Sequence, residues 1–160
     1  NGNAQIASMK SHNGWPASKD RAEIGIQSFE ISGTKIKLVC AKSVAPLLVG
    51  FAAEFHELIE PIDEGKLDDW GFAFRMIKGS SKTLSNHSSG TAIDLNATQH
   101  PLGKIGTFPN EKVPMIRALA KKYGLIWGGD WKRKDEMHFE IGVRRKKAAK
   151  LIAKLEKIND

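Results

Sequence analysis

The chain has 160 residues, room for one domain of ordinary size, and its 41% hydrophobic content can build a real core, which excludes wholesale disorder. A single cysteine, Cys40, excludes an internal disulfide and any multi-cysteine zinc knuckle, so a bound metal would have to draw on His and carboxylate. The net charge of +7 is unevenly placed: residues 144–160 hold seven Lys/Arg and two acids, which leaves 18 Lys/Arg against 16 acids on the rest, and so balanced a body does not read as nucleic-acid binding.

Residues 1–23 read as irregular, with turns at Asn13-Gly14 and Trp15-Pro16. His12 falls in this stretch and is expected to be inert. Loose alternation from Ile24 to Val39, with a turn at Gly33, predicts a hairpin or two short strands. Leu47, Leu48, Phe51, Ala52, Phe55, Leu58 and Ile59 follow the i, i+3, i+4, i+7 spacing of an amphipathic helix over Val44–Ile59, with Ser43 as its cap and Pro46 in its first turn. His56 is read as a helix-side residue, and Cys40 as a small buried hydrophobe. Beyond Pro61 and Gly65, alternation from Trp70 to Ile77 predicts a strand that ends near Arg75.

Gly79–Gly90 is small and polar, a loop, and Ala92-Ile93-Asp94-Leu95 is a short apolar strand carrying one acid. Residues 99–110 form a second loop, which holds His100. Val113, Ile116, Leu119 and Ala120 mark a helix over Pro114–Tyr123, closed by Gly124. Leu125–Trp127 and His138–Val143 read as strands, with a Gly128-Gly129 turn that Asp130 would hold. Residues 144–158 form a basic helix with Ala148, Leu151, Ile152, Leu155 and Ile158 on one face. The class is therefore α+β, a small, mostly antiparallel sheet with helices packed on one face. A catalytic domain over 1–143 would be followed by a basic helix over 144–160. That helix either packs on the body, or touches an anionic polymer or surface and connects to a further module. No apolar run of about 18 residues and no charged-then-apolar leader is present, so neither a transmembrane segment nor a signal peptide is expected. A monomer is expected.

Two histidines keep unusual company. His87 sits in a small polar loop, and Asp94 lies on the strand that follows it. A lone acid flanked by Ile93 and Leu95 is costly to bury unless it is paired or metal-bound. Neutral imidazole and carboxylate are zinc-type ligands, and His138 on a separate strand can supply a third. Three protein ligands leave the fourth tetrahedral position open, as catalysis requires. Asp135 and Glu136 are both candidates for the general base. Strand geometry would put Glu136 on the face of His138, whereas a turn would swing Asp135 over the metal. Arg75 could hold a substrate carboxylate or the developing oxyanion. Glu140 alternates with His138 and is either a partner behind the ligands or a plain surface acid. Trp131 is a candidate wall of the groove.

The spaced pattern Ser85-x-His87-x-x-Gly90-x-Ala92-x-Asp94, followed by Asp135-x-x-His138, resembles the family of zinc D-Ala-D-Ala carboxypeptidases and L-alanyl-D-glutamate endopeptidases. The likeness is nearest to bacteriophage endolysin catalytic domains. It extends to Asn13-Gly14-Trp15-Pro16, Asp69-Trp70-Gly71, His100-Pro101-Leu102-Gly103 and Trp127-Gly128-Gly129-Asp130, and covers roughly residues 13–142. The resemblance implies a hedgehog-type fold and one zinc ion held by His87, Asp94 and His138. It implies Asp135 as the base, Arg75 steadying the scissile carbonyl, and Ser85 as a hydrogen-bonding wall. It further implies bacterial peptidoglycan as the partner, cleavage of the L-Ala–D-Glu bond, and release from a host cytoplasm to the wall through a holin. A D-Ala-D-Ala carboxypeptidase and a non-catalytic, zinc-stabilised wall-binding module are the rival readings.

Overall fold

The computed structural model describes residues 9–159. A 3-10 turn over Arg21–Ile24, capped by the Asp20 carboxylate, leads into β1 (Ile26–Glu30). β2 (Lys37–Ala41) pairs with it antiparallel, from Ile26 opposite Ala41 to Glu30 opposite Lys37. Helix α1 (Ala45–Leu58) follows. β3 (Ala92–Asp94), α2 (Val113–Lys122), β4 (Leu125–Trp127), β5 (His138–Ile141) and α3 (Arg145–Asn159) complete the regular elements. The expected α+β class holds, but the antiparallel strands divide into two sheets: β1–β2, and a three-stranded sheet in the order β3-β5-β4.

The segment predicted as a strand from Trp70 to Ile77 is extended without being a ladder. Trp70 exchanges backbone hydrogen bonds with Asp94, Phe72 N–H donates to Val39 of β2, and Ala73 N–H donates to His87. Its partners change every residue or two, so no continuous pairing forms. The segment instead stitches the two sheets together. The helix caps differ as well. Ser43 lies inside a 3-10 turn over Lys42–Val44, and among the described residues no side chain caps α1.

The core forms where α1 meets the three-stranded sheet. Leu47, Leu48, Phe51, Ala52 and Phe55 are fully buried, as their spacing requires, whereas Leu58 at the end of the stripe is 45% exposed. Phe139 of β5 is the hub, with ring centroids 4.5 Å from Phe51 and 5.8 Å from Phe55. Truncating Phe51 would leave a cavity that rigid neighbours cannot fill. Phe51→Ala is expected to cost about 3–5 kcal/mol, read from denaturant unfolding. On α3, Ala148 is buried and Leu151, Ile152 and Leu155 pack on this core. Ile158, expected on the same face, is 70% exposed. Cys40 is fully buried, and burial pushes its thiol up to about 12, so it stays unreactive. Among the described residues no helix is long and apolar enough to cross a membrane.

Candidate metal centre

Strand register brings the first two donors together. β3 and β5 pair so that Asp94 lies directly opposite His138. All four residues of β5 are buried, but alternation splits them: Phe139 faces the aromatic core, while His138 and Glu140 turn the other way. The third donor comes from a 3-10 turn, Asn86–Ser89, capped by the Ser85 hydroxyl, which accepts from His87 N–H at 3.2 Å. Gly90 closes that turn at φ +68°, and a side chain there would overlap Ile26 and the backbone of Ala41. The turn therefore docks tightly on the first sheet and fixes where His87 points.

His87, Asp94 and His138 are all buried, and each offers a ligand atom within 4.8 Å of the others. Both imidazoles are oriented from behind. His87 Nδ1 donates to the Gly71 carbonyl at 2.8 Å, which leaves Nε2 without a hydrogen-bond partner among the described residues, 3.3 Å from an Asp94 oxygen. Gly71 itself admits no side chain, which would overlap the Val39 carbonyl. His138 Nε2 lies 2.8 Å from Glu140, and Nδ1, 3.0 Å from Asp94, is the atom turned toward the other donors. Glu140 also accepts from Asn86 Nδ2 at 2.8 Å, tying the two ligand-bearing segments together. A buried, unpartnered imidazole nitrogen facing a carboxylate and a second oriented imidazole fits a divalent ion such as zinc.

The surroundings of these donors favour positive charge. Burial opposes a charge on His138, but hydrogen bonds to Asp94 and Glu140 outweigh it and raise its pKa to about 9. Burial likewise opposes a charge on Asp94, yet His87 and His138 hold it well below the usual carboxylate range. Desolvation raises the Asp135 pKa, with His138 and Arg75 partly opposing.

The two neighbouring acids separate cleanly. Asp135 Oδ2 is 4.0 Å from His138 Nδ1, and its Oδ1 is buried without a hydrogen-bond partner among the described residues. Glu136, expected on the His138 face, turns away. It accepts from Gly106 N–H, Thr107 N–H and the Thr107 hydroxyl at 2.6–2.9 Å. A turn from Asp135 to His138, rather than a continuous strand, puts the two acids on opposite sides. Glu136 is thus the anchor of the 106–107 loop and no neighbour of the metal donors.

A cleft of about 600 Å³ opens over the centre, lined on its walls by Trp70, Arg75, Ser85 and Trp131. The Trp131 ring lies 5.2 Å from that of His138. Arg75 is exposed, with its backbone clamped to the metal loop through Ser85 and Ser88. His12, expected to be inert, lies in the cleft wall. Its neighbours hold it there: Ser11 bonds Ser89, and Asn13 bonds Asn86, Thr91 and the Ile141 carbonyl. Sequence reasoning gave no role to Asn13, Asn86 or Gly71; Asn13 and Gly71 stood there only within shared motifs. His100 is buried away from the cleft against Glu60, Thr107 and Phe108. Asp130 pairs with Arg117 at 2.8 Å rather than holding the glycine turn.

Residues 78–141 match the family model described as D-alanyl-D-alanine carboxypeptidase. The matched segment contains all three donors together with Asp135 and Glu140, so the family's sequence pattern coincides with the buried His–Asp–His group. Arg75 and the Asn13 clamp lie before it. No curated protein and no solved structure matches the chain.

Proposed function

We propose that the protein is a zinc peptidase of bacteriophage endolysin type that hydrolyses peptidoglycan stem peptides at the L-Ala–D-Glu bond. The observation that carries the peptidase reading is the convergence of three pre-oriented metal donors with a desolvated carboxylate, Asp135, on the floor of a cleft. Asp135 takes the proton of the attacking water and returns it to the leaving amine. Arg75 steadies the carbonyl oxygen as negative charge develops on it. Gly71 and Glu140 hold the two imidazoles, and Trp131 helps exclude water from one wall. Zinc bound at these donors supplies the Lewis acid for the scissile carbonyl and the attacking water.

The endopeptidase choice draws on the motif likeness to endolysins. D-Ala-D-Ala carboxypeptidase is the second reading, favoured by the description of the matching family. In the endolysin setting the enzyme reaches the wall from the host cytoplasm after holin-type release, and the basic face of α3 meets anionic wall polymer.

Mass spectrometry of purified peptidoglycan digested by the zinc-loaded protein tests these readings. The expected products carry new amino-terminal D-Glu, with L-Ala left on the muramyl group, and vanish with a zinc chelator. Release of terminal D-Ala alone would establish the carboxypeptidase. Zinc binding without chelator-sensitive products from several wall chemotypes would overturn the peptidase reading.

A further inference from the structure

The cleft carries both signs of charge. Three acids line it, and all are committed at the metal centre: Asp94 is a donor, Glu140 holds His138 and Asn86, and Asp135 stands beside His138. Three fixed cations line it as well: Arg75, Lys78 and Arg133. Among the described residues none of the three forms an ion pair; the two Lys/Arg ion pairs there lie outside the cleft, Arg117 with Asp130 and Lys122 with Glu54.

Lys78 and Arg133 reach the cleft from different loops. Lys78 sits in a tight turn closed by Ile77 N–H to Thr83 and Ser80 N–H to Ile77. Arg133 sits in a loop tied at both ends, by Trp131 and Asp135 N–H groups to Gly128 and by Lys134 to Gly103 and Gly129. Its neighbour Lys134 is used up in that anchoring, so Arg133 is the cation the loop presents to the cleft.

We infer that Lys78 and Arg133 are specificity-determining residues that bind a free carboxylate on the leaving-group residue, the one whose nitrogen is released. The inference rests on the peptidase reading above and names what that site recognises. Its chemistry is shared by both candidate bonds. D-Glu joined through its γ-carboxyl keeps its α-carboxylate on the carbon that bears the scissile nitrogen. A terminal D-Ala does the same. Either places a negative charge next to the reacting amide, inside a cleft whose own acids are gathered at the metal centre. A guanidinium and an ammonium left unpaired there complement that charge, and the cleft walls screen it less than open water would.

The test uses two peptide pairs: a muramyl stem peptide with the D-Glu α-carboxylate free or amidated, and a stem peptide ending in D-Ala-D-Ala with its terminus free or amidated. Binding is measured on zinc-loaded Asp135→Asn protein by calorimetry, and KM and kcat on the zinc-loaded enzyme. The free acid of one pair is expected to bind about tenfold tighter than its amide. Arg133→Gln and Lys78→Gln are each expected to weaken the acid about fivefold, leave the amide unchanged, and raise KM without lowering kcat. The pair that shows the effect identifies which carboxylate is read. Equal binding of acid and amide in both pairs would overturn the inference, as would variants that weaken acid and amide alike. Selective binding of an acid, weakened in both variants, by a protein that cuts neither bond would keep Lys78 and Arg133 as carboxylate binders and remove the peptidase reading instead.

Discussion

Asp135→Asn is expected to lower kcat on a stem-peptide substrate by about 10²–10⁴-fold, the usual worth of a positioned general base. The amide keeps the shape of the side chain but cannot accept a proton. Asp135 is not one of the three converging donors, so zinc content should stay at the wild-type level by metal analysis. Its desolvated carboxylate has an oxygen without a hydrogen-bond partner among the described residues, so replacement breaks no hydrogen bond there and stability should change little. The matching change at Glu136 separates the two acids. Glu136→Gln disturbs the 106–107 loop, which its carboxylate holds through three hydrogen bonds, and should lower stability while sparing kcat. A variant Asp135→Asn with full turnover would return the base to an open question.

Glu140→Gln should weaken zinc binding by about 10–100-fold, measured by competition with a chromophoric chelator. One carboxylate at Glu140 accepts two hydrogen bonds, from His138 Nε2 and from Asn86 Nδ2. A carboxamide has one oxygen and one amide nitrogen, so it can accept only one of them and must face the other donor with a donor. Either His138 loses the partner that directs its Nδ1 at Asp94, or the Asn86 turn that carries His87 comes loose. Unchanged zinc affinity in this variant would mean that the ligands hold their orientation without Glu140. His87→Ala, by contrast, removes a donor outright and should abolish stoichiometric zinc binding.

Much of the site was legible along the chain because the information is local. The class of His87, Asp94 and His138 follows from side-chain chemistry, and Asp94 stood out as one acid within an apolar strand. The inward faces of α1 and α2 follow from helical spacing, which a run of ten residues or more displays fully. Short extended segments display far less. The stretch from Trp70 to Ile77 alternates like a strand, yet its hydrogen bonds go in turn to Asp94, Val39, and His87. Alternation reports exposure on two sides and says nothing about which backbone lies alongside.

What the sequence alone determined, then, is the α+β class and the helical core faces, readable from residue identity and short-range period, with His87, Asp94 and His138 offered as candidate donors. The tertiary structure decided the rest. Asn86 meets Glu140 across 54 positions, Asn13 meets Asn86 across 73, and Asn13 reaches the Ile141 carbonyl across 128. Those contacts place His12 in the cleft. The turn from Asp135 to His138, at the start of β5, sends Asp135 to the metal donors and Glu136 to a loop. The physical reason is the same in each case: a side chain's partner is set by how distant backbone segments pack, and a hydrogen bond of 2.8 Å leaves no trace in the residues that lie between its ends.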